Sequence, residues 1–326
     1  MRWRVLLLCF AILTFQAFDR AGVAFASCGS EQCPIDIAMP WEHSSFSFEL
    51  SQQYIDQDQP RAGTENTTVG AIPAPEDEVR TLNRITAARA LYRPSLNWFF
   101  TATLPYVSRY HEHIHNEQGQ PPERQRWWYD GIGDLQASAT RFFGDHAHGP
   151  RFSLLAGFKA PTGVTQVPTD NGEQPEPPAR PGDGAWSLLA GAGVEWKKTV
   201  PMPGGSYGLL PIRLSAQGRA NAKGTEEYRV GDEAQAHLTT EYPLSRSIQM
   251  GLSADARVRA KDDVGLTDAE RDNTGGTWVY LSPTLRFSMA GTTAFYGGVQ
   301  LPVYRRVNGI QLVSDANLFG GITRSF

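Results

Sequence analysis

Three histidines, His111, His113 and His115, occupy alternate positions in the chain. On a β-strand successive side chains point to opposite faces, so this spacing places three imidazoles on one side. Such a set is able to hold zinc or copper. The stretch runs directly into polar sequence at Asn116, however, and reads as rings splayed and solvated at a strand end; no metal is assigned. Ser215 and His237 are the other residues with reactive character. A lipid hydrolase embedded in a membrane needs a serine activated by histidine on the surface that meets lipid. Both residues instead share the polar parity of their segments. No catalytic residue and no cofactor are assigned, and the chain reads as a non-enzyme.

The elements that would position these residues are strands. In 248–258, Ile248, Met250, Leu252, Ala254, Ala256 and Val258 alternate with Gln249, Ser253, Asp255 and Arg257. In 279–289, Val279, Leu281, Leu285, Phe287 and Met289 oppose Tyr280, Ser282, Thr284 and Arg286. The same pattern places Leu210, Ile212 and Leu214 against Arg213, Ser215, Gln217 and Arg219. Trp186 and Trp196 sit near the two ends of another apolar parity, where a membrane interface would lie. Twelve such segments begin near 44, 80, 97, 131, 151, 185, 206, 228, 247, 276, 292 and 313; only the second, Leu82 to Tyr92, fits neither parity cleanly. Long polar stretches at 57–79, 113–126, 161–184, 223–231 and 261–275 alternate with short links such as Arg93 to Leu96 and Leu244 to Arg246. Long outer loops and short periplasmic turns belong to an outer-membrane barrel. The fold class is therefore all-β, a closed antiparallel transmembrane β-barrel of about twelve strands spanning 44–326.

The composition fits. The 32 glycines and 11% aromatic residues suit strands and turns, and 30 basic against 34 acidic residues give no general attraction to nucleic acid. Repeated apolar runs of the ~20 residues that a helical membrane protein needs are missing. One shorter run, Val5 to Phe18, follows Arg2 and Arg4 and precedes Ala24-Phe25-Ala26. It reads as a signal peptide over 1–26, which directs export, with a membrane anchor as the alternative. Residues 27–43 then form a periplasmic segment in which Cys28 and Cys33 read as a local disulfide. Lipidation of Cys28 is the rival, although Phe25 stands where leucine is expected. At the other end Leu318, Gly320, Ile322 and the terminal Phe326 share one parity and resemble the signal read by the barrel assembly machinery, with Arg324 as the departure.

Inward parity collects Glu49, Asp134, Lys159, Glu195, Arg213, Arg219, His237, Glu241, Asp255, Arg257, Arg259 and Arg286 as the lumen-lining set. Both signs are present, so these residues either pair across a narrow interior or line a wet channel with opposed charges. A modest cationic excess in three of the later segments favours anionic or carboxylate-bearing solutes if the interior is open.

Three motifs carry a family resemblance: Cys28-Gly29 with Cys33-Pro34, then Gly131-Ile132-Gly133-Asp134-Leu135, then Gly157-Phe158-Lys159-Ala160-Pro161-Thr162-Gly163. Together they resemble the MetA-pathway of phenol degradation family of outer-membrane proteins, most clearly from Gly131 onward. The resemblance implies a barrel that passes small, often hydrophobic or aromatic compounds, and it brings no catalytic residues. The expected function is a channel or transporter for small solutes in the outer membrane of a Gram-negative bacterium, with outer-membrane lipid, the assembly machinery and the solutes as partners. The alternatives are an outer-membrane lipid hydrolase and a structural or adhesive barrel acting through its outer loops.

Overall fold

In the computed structural model, the described residues are 45–326 except 71–75, 117–120, 145–149, 170–171, 204, 206, 246, 268 and 290–291. The expected signal peptide and both cysteines of the periplasmic segment lie outside them. Twelve antiparallel strands form one ring: β1 (Phe46–Ala62), β2 (Glu76–Ser95), β3 (Trp98–His115), β4 in two pieces (Glu123–Ile132 and Leu135–Gly144), β5 (Arg151–Ala160), β6 (Ser187–Pro201), β7 (Tyr207–Asn221), β8 (Glu233–Pro243), β9 (Ile248–Arg259), β10 (Gly276–Met289), β11 (Thr293–Val307) and β12 (Ile310–Ser325). A two-residue strand, Glu65–Asn66, folds back on the end of β1. The ring closes where β1 meets β12, with Ser47 opposite Ser325 and Ala62 opposite Ile310.

Closure follows from the alternation. The outward parity is a band of large apolar side chains: Met250, Leu252 and Val258 on β9, Leu281, Leu285 and Phe287 on β10, Leu318 and Ile322 on β12. Strands can meet hydrocarbon only if every backbone N–H and C=O is paired within the sheet, and a closed ring has no edge left over. Arg324 points outward at the periplasmic end, its guanidinium 6.0 Å from the Phe326 ring and hydrogen-bonded to Thr293, so its charge is carried at the interface.

Strand length divides the ring. β1, β2 and β3 have 17, 20 and 18 residues, whereas β5, β8 and β9 have 10, 11 and 12. About ten residues suffice to cross a bilayer, so the long strands stand well clear of it. This corrects several expected boundaries. Strand fills 57–62 and 76–79 of the first expected loop and 113–115 and 123–126 of the second, so β2 begins at Glu76, and β4 at Glu123 instead of 131. Above the hydrocarbon both faces of a strand meet polar surroundings, and the apolar-polar alternation that marks a crossing is lost. It also explains the mixed parity of β2, whose inward row is Thr81, Asn83, Ile85, Ala87, Arg89 and Leu91 while Arg84 faces outward over Trp128. Two smaller shifts move the start of β8 to Glu233 and of β12 to Ile310.

Inside the tall part of the ring the lumen is filled. Trp278, Tyr280, Val307 and Val313 form one buried cluster, and Ile55, Ile85 and Val107 another. Between them buried amides bridge strands: Gln57 donates to the Leu312 carbonyl at 3.1 Å, Asn83 to Gln57 at 3.0 Å, and Asn317 to Gln300 at 2.8 Å.

A candidate solute chamber in the lumen

The break in β4 organises what remains open. Asp134 sits at the break, and the chain leaving β5 turns inward there instead of rising as a free outer loop. Val164 N–H donates to the Ile132 carbonyl at 2.8 Å, and Gly182 N–H to the Val164 carbonyl at 2.9 Å. The segment then runs across the lumen: Val167 packs on the inward-facing Trp127 and Tyr129, and the Tyr129 hydroxyl donates to the Ala179 carbonyl at 3.1 Å. Glycine makes this approach feasible, since a Cβ at Gly163 would stand 2.7 Å from the carbonyl carbon of Gly133 and 2.8 Å from Gly182 Cα. Gly131 lies within the first piece of β4 and Gly133 at its interruption.

Arg180 fixes this roof. Its side chain is almost fully buried, donating to the Pro175 carbonyl at 2.7 Å and the Thr165 carbonyl at 3.2 Å, and pairing with Glu226 at 2.6 Å. Lys159 holds the hinge end, bonded to Asp134 at 3.0 Å and also to Asp183, while Asp134 accepts from Gly163 N–H at 2.9 Å. Two neighbouring loops are locked together beside it. The Tyr228 hydroxyl donates to Asp262 at 2.7 Å, and Gly231 N–H donates to the same carboxylate at 2.8 Å.

Beneath the roof lies a chamber with a cavity volume of about 170 Å³, and toward the periplasm a vestibule of about 190 Å³. The expected lumen set divides between them. Asp134, Lys159, Arg219, Arg257 and Arg259 line the chamber, together with Arg89, Arg180, Asp183 and Glu233. Glu195, Arg213, His237 and Glu241 line the vestibule, together with Arg151. Glu49 lies 3.6 Å from Arg89, and Arg286 is buried on β10. Asp255 lies 2.7 Å from the His237 Nδ1. At the boundary Gln217 donates to Gln235 at 2.9 Å, and Arg219 reaches past β5 and β6 to Gln136 at 3.3 Å.

Arg89 and Glu233 have inward parity and are open to the same reading as the rest. Arg180 and Asp183 belong to a segment without periodicity, and no alternation points to them.

The histidines of β3 are not splayed and solvated. His111 and His113 are buried, with ring centroids 5.2 Å apart, and the Trp127 ring lies 5.6 Å from the first and 4.7 Å from the second. His111 Nδ1 is 2.9 Å from the Thr81 hydroxyl. Inward parity places these rings against the aromatic face of β4, where stacking and burial exclude water. Among the described residues no group of three or more His, Cys, Asp or Glu side chains is arranged to hold a metal ion.

Ser215, His237 and Asp255 are direct cross-strand partners on β7, β8 and β9. The row has a hydrolase's residue types, but it stands on uninterrupted ladders where backbone N–H groups are engaged between strands. Donors to a tetrahedral oxyanion would have to come from side chains such as Arg213, Thr239 and Ser253.

The family described as "Putative MetA-pathway of phenol degradation" matches residues 85–307. Among solved structures, an outer membrane channel from Pseudomonas putida F1 superposes with a TM-score of 0.59 at 14% identity, over 91% of this chain and 100% of that one. The transport unit of the autotransporter AIDA-I from Escherichia coli superposes with a TM-score of 0.52 at 12% identity, over 89% of this chain and 93% of that one. No curated protein matches the sequence. At such identities the likeness is one of fold, and the fold is that of an outer-membrane barrel.

Proposed function

The chain belongs to the MetA-pathway of phenol degradation family, and from that premise we propose that it is an outer-membrane channel for small solutes, hydrophobic or aromatic compounds among them. One observation carries the reading: the inward parity surrounds two adjacent cavities whose walls carry charged and polar side chains, while the outward parity presents a band of large apolar ones. A barrel serving only as a scaffold for its loops has no need of the lower cavity. The Pseudomonas putida barrel of similar fold is an outer membrane channel, which supports the same reading.

Reconstitution into planar bilayers tests it. Discrete conductance steps are expected, larger once the roof segment is removed. Silence from both the complete barrel and the roofless one would overturn the channel. The row of Ser215, His237 and Asp255 favours a second reading, ester hydrolysis inside the vestibule. Turnover of a soluble ester by the wild type, lost in Ser215→Ala, would support it.

The proposal extends to biogenesis. Residues 1–26 direct export, and residues 27–43 stay in the periplasm with Cys28 and Cys33 bridged. The assembly machinery reads Leu318, Gly320, Ile322 and Phe326. The exposure of Leu318, Ile322 and Phe326 on the lipid side of the closing strand supports that role. Lipid of the outer membrane surrounds the apolar band.

A further inference from the structure

Building on the channel reading, we propose that the outer chamber is a binding site for amphipathic anions, a carboxylate joined to an aromatic ring or a comparable apolar body. The charged side of the chamber lies on β7, β8 and β9. Arg219 stands opposite Glu233, Glu233 stands opposite Arg259, and Arg257 Nε donates to Glu233 at 2.6 Å. One carboxylate thus serves three guanidinium groups. Arg257 and Arg259 are only 4% and 6% exposed, and charges of one sign repel strongly where water is scarce. An entering anion relieves that repulsion. The buried Nε of Arg219 makes no hydrogen bond among the described residues, and a guanidinium edge is shaped to take a carboxylate through two parallel N–H donors. Lys159 is not the receptor, because Asp134 and Asp183 already hold it.

The other sides supply the second half of the recognition. Ile85, Ala87, Pro105 and Val107 on β2 and β3, with Pro178 and Pro181 of the roof, present apolar surface to the same space. Such surface adds nothing for chloride or acetate, but it removes a ring from water. A neutral aromatic would gain that contact and offer nothing to the guanidinium groups. Only a molecule with both features satisfies both sides.

The test is calorimetric titration of the folded, detergent-solubilised protein with benzoate, acetate, benzyl alcohol and benzylammonium. Benzoate is expected to bind about tenfold or more tightly than the other three, one ion pair and one buried ring setting the scale. Equal affinity for benzoate and acetate would reduce the chamber to a simple anion site and overturn the proposal. Equal affinity for benzoate and benzyl alcohol would reduce it to an apolar pocket, with the same consequence. Arg219→Gln is expected to weaken benzoate about tenfold, and Ile85→Asn to weaken benzoate while leaving acetate unchanged. Heat-modifiable migration in detergent gels reports whether each variant is folded. If one is not, Arg259→Gln takes its place, and the wild-type series decides the matter without any variant. Conductance without benzoate preference defeats this inference alone, whereas benzoate binding by a barrel that never conducts defeats the channel and leaves the site standing.

Discussion

The chamber and the vestibule are built from the same kinds of side chain on the same strands, yet they treat charge differently. In the vestibule each base faces an acid on the next strand: Arg213 pairs with Glu195, and His237 with Asp255. Arg151, which also stands opposite Glu195, donates to the Leu96 carbonyl at 2.6 Å and lies 3.8 Å from the Phe142 ring. Around them the wall mixes Gly191, Gly193, Ser153 and Ser215 with Phe99, Phe142 and Leu155. The chamber has three arginines about one glutamate, bulky apolar neighbours and a roof. Opposed pairs give a passage with little preference, whereas clustered like charge gives a place where a solute of the other sign pauses. Selection therefore belongs to the outer compartment and passage to the inner one.

The largest effect that sharpens this contrast comes from deleting the roof, residues 165–180. Single-channel conductance should rise roughly threefold or more, and benzoate affinity should fall with the loss of Pro178. Unchanged conductance would show that the roof does not limit the path. Next, Arg213→Gln removes the hydrogen-bonded partner of Glu195 in a part-buried position, with only Arg151 left opposite it. It should cost about 1–3 kcal/mol in urea unfolding and shift the reversal potential toward cations, with benzoate affinity in the chamber unaltered. A parallel loss of benzoate binding would show the compartments to be one. The smallest effect concerns the loop lock. Burial, together with the adjacent Asp262 carboxylate, pushes the Tyr228 hydroxyl above its ordinary value of about 10. Because the folded value exceeds the unfolded one, the lock is at full strength below pH ~10 and weakens as pH climbs beyond it. Tyr228→Phe should cost about 1 kcal/mol and abolish that dependence, read as protease cleavage between 222 and 232 from pH 9 to 11.

The barrel was legible in the sequence because lipid and water impose opposite demands on neighbouring residues, and β9 and β10 record both. What alternation conveys is the facing of a side chain, and there it stops. Arg213 and Arg257 have identical inward parity, but Glu195 stands between two arginines, Arg213 and Arg151, whereas Glu233 has Arg219 and Arg259 opposite it and accepts from Arg257 as well. That difference depends on register, which parity leaves open by steps of two. The roof was illegible for a different reason. Arg180 and Asp183 act through carbonyls and carboxylates brought together by a chain reversal, in a stretch of Pro, Gly and Glu that looks like any solvated loop. The histidines show the converse error: their facing is right, but the ring that covers them, Trp127, lies in a strand piece whose sequence reads as loop.

The seam between β1 and β12 has a consequence for how the molecule is made. Because β1 finds its second partner only in β12, a polypeptide that stops before β12 carries two bare rims of unsatisfied amides, each a template for indiscriminate pairing. Only the arrival of β12 can bury them, so quality control can act on incomplete chains simply by recognising open edges, and commitment to the bilayer waits on that strand.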